Sequence, residues 1–203
     1  MPRRLTNQER RAETRRCLMA AAARAFVKQG LDRTSIDRVA EDAGYTKGAF
    51  YANFNNKQEL FLAMLDERFG ARMEEIERVI AGEGPPAEKA SRAGDVFAAM
   101  LAADPDWNRL FFEFHAYAAR DKDFREELVT RYRWMRERLV TALHARAEEL
   151  PISSAISAEQ LATMTIAMAN GFALETLLEP EAAPEELLGT MLTLFFAGVE
   201  AAA

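Results

Sequence analysis

The sequence predicts an all-α protein of about nine helices, on three observations. All seven prolines fall where helices would begin or end, at Pro2, Pro85, Pro86, Pro105, Pro151, Pro180 and Pro184. Apolar residues recur at spacings of three and four along most of the chain, the period of a helix face. No alternating β-branched run bounded by turns reads as a strand, and neither Pro nor Gly occurs between Pro105 and Pro151.

In chain order, helices are expected at about 7–29, 34–42, 46–52, 57–82, 86–103, 105–119, 122–149, 157–179 and 184–201. Several starts pair a short polar side chain with an acid or amide three residues on, so that both can satisfy free N–H groups of the first turn. These are Thr34 with Asp37, Asn56 with Glu59 and Ser157 with Gln160. Asp104 precedes Pro105, whose missing N–H is not needed at a first helical position. The fourth helix carries Leu60, Phe61, Met64, Leu65, Phe69, Met73, Ile76 and Ile80 as one apolar stripe, long enough to connect the two ends of the molecule rigidly. The stretch Ala81 to Pro86 reads as the turn after it.

Composition narrows the class. The chain has 203 residues, 49% hydrophobic and 29% charged, which excludes a disordered polymer and sets an expectation of one or two domains. Charges interrupt the apolar stretches, so no membrane span is expected. The basic start, Met1 to Gln8, lacks the apolar core of a signal peptide, and a cytoplasmic location is expected. Cys17 stands alone, so no internal disulfide is expected, and no Cys or His sits beside it at metal-ligand spacing. No metal or cofactor is expected. The net charge of −6 is unevenly spread: residues 1–57 carry twelve basic and six acidic side chains, leaving −12 on the rest. A basic end on an acidic chain fits contact with a polyanion at that end, although a solvated helix can show the same run.

Residues 34–54 combine a short helix, a glycine turn and a second short helix. Ile36, Val39 and Ala40 share a face of the first, Ala43 and Gly44 allow the reversal, and Thr46 can cap the second. Phe50 and Phe54 are expected as core plugs, with Lys47, Gly48 and Ala49 on the exposed first turn. From Arg10 to Phe61 the chain resembles the DNA-binding domain of the tetracycline-repressor (TetR) family of bacterial regulators. The resemblance rests on Ala22, Phe26 and Gly30, on Thr34-Ser35-Ile36, on Ala43 through Tyr51, and on Phe54 through Phe61. Tyr45 stands where an aliphatic residue is usual, and Asn53 where His is common.

The resemblance implies a helix-turn-helix DNA-binding domain at 1–58 and a ligand-binding and dimerisation domain at 59–203, linked by the fourth helix. It implies phosphate contacts from Thr34, Ser35, Thr46, Tyr51, Asn53 and Lys57, and base-facing positions at Lys47, Gly48 and Ala49. Arg3, Arg4, Arg10 and Arg11 form a candidate arm toward phosphates or a minor groove. In the acidic part, an aromatic and methionine-rich set offers walls for an apolar or aromatic ligand: Phe97, Met100, Phe111, Phe114, His115, Tyr132, Met135, Met164, Met168 and Phe172. The last two helices are apolar on more than one face, which calls for a second partner besides the body. Members of the family pair them with their mates as a four-helix bundle, with Leu174, Leu177, Leu178, Met191, Leu192, Phe195 and Phe196 as interface candidates and Gly171, Ala173 and Gly189 permitting close approach. The expected function is a homodimeric repressor of a palindromic operator, released by a small ligand. Two other readings stay open: a DNA-binding regulator whose second domain takes only protein partners, and a helical enzyme with a basic end. Against the enzyme, the sequence shows no Gly-rich phosphate loop, no His-rich motif and no nucleophile motif around Cys17.

Overall fold

The computed structural model describes residues 6–145 and 156–201. These form α1 (Asn7–Arg33), α2 (Ile36–Asp42), α3 (Lys47–Tyr51), α4 (Lys57–Ala81), α5 (Pro86–Ala103), α6 (Pro105–Ala118), α7 (Lys122–His144), α8 (Ala158–Leu178), a 3-10 turn at Pro180–Ala182, and α9 (Glu186–Ala201). The all-α expectation is met, and among the described residues there is no strand. The expected end of the seventh helix, beyond 145, lies outside the described residues.

Local chemistry sets most boundaries. Asn56 accepts from the Glu59 N–H, Asp104 from that of Trp107, and Ser157 and Gln160 cap each other reciprocally. The start of α2 differs from expectation. Ser35 is its cap, accepting from the Arg38 N–H, because Thr34 is turned inward and donates its hydroxyl to the Gly30 carbonyl at 2.7 Å. Gly30, at φ +76°, kinks α1 and lets one further turn run to Arg33. Between α2 and α3, Gly44 takes φ +77°, and the bonds Tyr45 N–H to Ala40 O and Gly44 N–H to Glu41 O close the reversal.

Helices α1 to α3 pack around Leu18, Phe26, Val39, Phe50 and Phe54, and α4 seals them with Leu60, Phe61 and Leu65. Farther along, α4 turns Phe69 and Met73 into the core formed with α5 to α9. Helix α6 bridges the same two regions. Phe114 meets Phe26 edge-on and stacks on Phe61, while Phe111, one turn earlier, packs edge-on against Phe69. Helices α5 and α9 cross so closely that a Cβ on Gly94 would overlap the Gly189 backbone, and one on Gly189 would lie 2.9 Å from the Ser91 carbonyl. Gly189 therefore serves contact within the protomer, not the expected approach of a mate. Ala173 is also buried inside, and its carbonyl accepts from the Asn108 amide. Gly171 faces open space.

One expectation about apolar runs is corrected. Helix α8 is long and apolar enough to cross a membrane by length and composition, with mean hydropathy 1.3 over a window that is only 22% buried. Between Glu159 and Glu175 the chain carries no charge, its polar members being Gln160, Thr163, Thr165 and Asn170.

Candidate nucleic-acid interface and interior cavity

At five residues, α3 is far too short to be stable alone, since helix nucleation is unfavourable. Its neighbours hold it. Thr46 accepts from the Ala49 N–H at its start. At its end, Arg15 donates to the Asn53 carbonyl at 2.7 Å and Arg11 to the Ala52 carbonyl at 3.4 Å, placing two cations where the helix presents unpaired carbonyls. The Arg15 guanidinium also lies 4.2 Å over the Phe54 ring, so the buried plug and the cap are joined.

What remains outward is Ser35, Thr46, Lys47, Gly48 and Tyr51, with Ala49 and Asn53 half-buried beside them. Lys47 reaches Asp37 at 2.9 Å and ties the first turn of α3 to that of α2. This hydrogen bond holds the ammonium pKa above its ordinary value, and the side chain stays exposed. Asn53 donates to the Ala49 carbonyl at 2.8 Å. Two expected phosphate contacts lie elsewhere. Thr34 is 1% exposed and holds the α1 kink, so its hydroxyl does not face outward. Lys57 bonds the carbonyls of Leu31 and Asp32 at 2.8 and 3.2 Å, so it caps the end of α1. Arg10 and Arg11 belong to the first turns of α1 rather than to an extended arm, and Arg3 and Arg4 lie outside the described residues.

In the other half, a cavity of about 90 Å³ is lined by Phe69, Arg72, Met73 and Ile76 of α4, Ala93 and Phe97 of α5, Phe111 of α6, Met135 and Leu139 of α7, Thr165, Ile166, Ala169 and Asn170 of α8, and Leu188 and Leu192 of α9. A second of about 60 Å³ adjoins it, sharing Ile76, Ala93, Leu139, Thr165 and Leu192. Of the expected wall residues, Phe97, Phe111 and Met135 line the first. Phe114 lies in the packing against α1 and α4, Phe172 is core beside α5 and α6, and Met100 and Met168 line neither cavity. Met164 is 43% exposed on the outer side of α8.

His115 and Tyr132 stand behind the wall as a polar relay. His115 Nδ1 donates to the Phe111 carbonyl at 2.7 Å, which leaves Nε2 to accept from the Tyr132 hydroxyl at 2.8 Å. Tyr132 in turn accepts from the Asn170 amide at 3.1 Å. Burial holds the His115 pKa below its usual value and pushes that of Tyr132 up to about 12, so both are neutral at pH 7. Sequence reasoning missed Asn170 and Arg72. Their signal was legible: each is a polar residue inside an apolar stripe, Arg72 between Phe69 and Ile76 and Asn170 between Ile166 and Ala173.

Comparison with known proteins decides what this arrangement belongs to. Residues 18–64 match the model described as bacterial regulatory proteins, tetR family, and residues 86–198, more than half the chain, match that of the BetI-type transcriptional repressor, C-terminal. The chain belongs to the TetR family. The first matched region is that of bacterial regulatory proteins and the second that of a transcriptional repressor. Among curated relatives, the HTH-type transcriptional regulator TtgR of Pseudomonas putida is 51% identical over 59 residues, 29% of this chain and 28% of that protein. The match therefore spans under a third of the relative's length. The transcriptional activator FasR of Mycolicibacterium smegmatis is 28% identical over 110 residues, 54% of this chain and 48% of that one. Among solved structures, FadR from Bacillus subtilis in complex with stearoyl-CoA superposes with a TM-score of 0.74 at 16% identity, covering 89% of this chain and 96% of that one. At that identity the likeness is one of fold.

Proposed function

We propose that this chain is a repressor that binds a palindromic operator as a homodimer and leaves it when a small ligand enters the cavity between α4 and α9. Residues 1–58 bind DNA, and residues 59–203 carry the ligand and the dimer contact. The observation that carries the reading is an apolar stripe left open by the protomer. On α8, Met164, Ala167, Gly171, Leu174 and Leu178 are all exposed and follow one another at three- and four-residue steps. On α9, Leu194 is 69% exposed, with Met191 and Phe195 half-buried at its sides. A second copy covering both helices about a two-fold axis removes this surface from water and sets two α3 helices for half-sites ~34–36 Å apart. Leu192 and Phe196, expected at that contact, face inward and line the cavities instead. Lys47, Gly48 and Ala49 then face bases, and Ser35, Thr46, Tyr51 and Asn53 face phosphates.

The coupling follows from shared helices. Helix α4 lines the cavity with Phe69, Arg72, Met73 and Ile76, and packs on α1 through Phe61, whose ring meets Phe26 edge-on, while α1 holds the end of α3 through Arg15. A ligand that binds better to one setting of α4 and α6 shifts the spacing of the α3 pair by that difference in affinity. The match to a repressor-type C-terminal region supports the sign of regulation.

The test combines sedimentation with operator binding by anisotropy for the wild type and for Leu178→Glu with Leu194→Glu. The reading expects a wild-type dimer, a monomeric variant, and a loss of about 100-fold on a two-half-site duplex from lost avidity. A variant that stays dimeric, or a monomeric wild type that binds the full site no better than a half-site, contradicts it.

A further inference from the structure

Arg72 is the one feature of the cavity that an apolar ligand leaves unexplained. Its guanidinium sits 4.4 Å over the Phe97 ring, and among the described residues it makes no hydrogen bond and no ion pair. The neighbouring arginines are matched: Arg68 pairs with Asp104, Arg131 with Asp66 and Glu127, and Arg138 with Glu77. Among the described residues, no carboxylate lines either cavity. Desolvation lowers the Arg72 pKa to about 10, so it remains a cation at pH 7, with only the neutral Tyr132 hydroxyl and the like-charged Arg68 acting on it at short range. Arg72 is half-buried at the cavity wall, and a cation partly withdrawn from water beside apolar side chains gains when an anion arrives to pair with it.

We propose that the effector is an amphipathic carboxylic acid whose carboxylate pairs with Arg72 while its apolar body fills the space between Phe69, Phe97 and Phe111. This rests on the effector reading above and names the ligand's chemical class. Guanidinium and carboxylate match in planar geometry, and the pair forms beside the apolar wall of Phe69, Phe97 and Phe111. The larger space, about 90 Å³, is smaller than the single dry cavity of about 150 Å³ that holds benzene, so a ring or short alkyl chain enters it only with rearrangement of the wall it shares with the adjoining space of about 60 Å³.

The test uses benzoate, 4-butylbenzoate and octanoate against charge-free matches, benzyl alcohol, 4-butylbenzyl alcohol and octanol. Binding to the full-length protein at pH 7 is read by calorimetry and by the rise in unfolding temperature. The wild type should bind each acid about 10-fold or more tighter than its alcohol. Arg72→Met should abolish that preference, keep alcohol binding, and unfold no earlier than the wild type when empty. Arg72→Lys should retain part of the preference. Alcohols binding the wild type as tightly as acids, or Arg72→Met keeping the preference, overturns the counterion assignment and leaves the effector cavity standing. If neither acid nor alcohol binds, both readings fall. If Arg72→Met does not fold, the wild-type comparison of acid with alcohol decides.

Discussion

Replacing Lys57 by alanine removes two hydrogen bonds that close the last turn of α1, to the carbonyls of Leu31 and Asp32. The expected loss is about 1 kcal/mol in urea denaturation, with the salt dependence of DNA binding unchanged because Lys57 caps α1 and does not pair with phosphate. Lys47→Ala acts differently. Its partner Asp37 is exposed, so stability should hold within about 0.5 kcal/mol, while the bases recovered in a binding-site selection should change. Equal loss on all sequences with unchanged preference would move Lys47 to the phosphate contacts. His115 supplies a pH test. Its folded-state pKa lies below the ordinary value of 6.5, so the unfolded chain takes the proton first on acidification. Stability from the neutral relay is thus complete above about pH 6.5 and lost as pH falls through the folded-state value. The unfolding temperature of the wild type should drop more between pH 7.5 and 5.5 than that of His115→Gln, and parallel curves would show that His115 does not titrate in the fold.

At the scale of helices, the crossing of α5 and α9 makes the sharpest demand on sequence. Gly94→Ala places a methyl into the Gly189 backbone, and neither helix has room to yield. A loss of about 3 kcal/mol or more is expected by thermal denaturation, whereas Gly171→Ala, which faces open space, should leave protomer stability nearly unchanged. Such pairs mark the boundary of what sequence can reveal. Helix starts were legible because a cap is local chemistry: Asn56 with Glu59 and Ser157 with Gln160 sit where spacing puts them. Thr6 with Glu9 carries the same signature at the start of α1. Thr34 misled because Gly30 bends α1, turning the hydroxyl inward and leaving Ser35 to cap. The cavity was legible as a composition, rich in Phe and Met, but not as an outline. Phe111 and Phe114 are three residues apart on one helix and serve different regions, a matter of how α6 rests on α1 and α4. The inward turn of Leu192 and Phe196 follows in the same way from the depth of α9 against α5.

Across the whole molecule, charge and apolar surface divide the labour. The basic helices lie at one end and a net −12 lies beyond residue 57, so a polyanion is attracted to the α3 surface and repelled from the rest. In the proposed dimer the open stripe on α8 and α9 forms the two-fold contact, and α4 with α6 joins that half to α1 beside a space where, among the described residues, Arg72 has no ion pair. The central claim is that two copies read one symmetric site. It is tested most directly by selecting bound duplexes from random DNA with the purified protein at near-physiological salt. The account predicts one palindromic motif whose half-sites are centred about one helical turn apart. Recovery of no motif, or of a single unrepeated half-site, would contradict it.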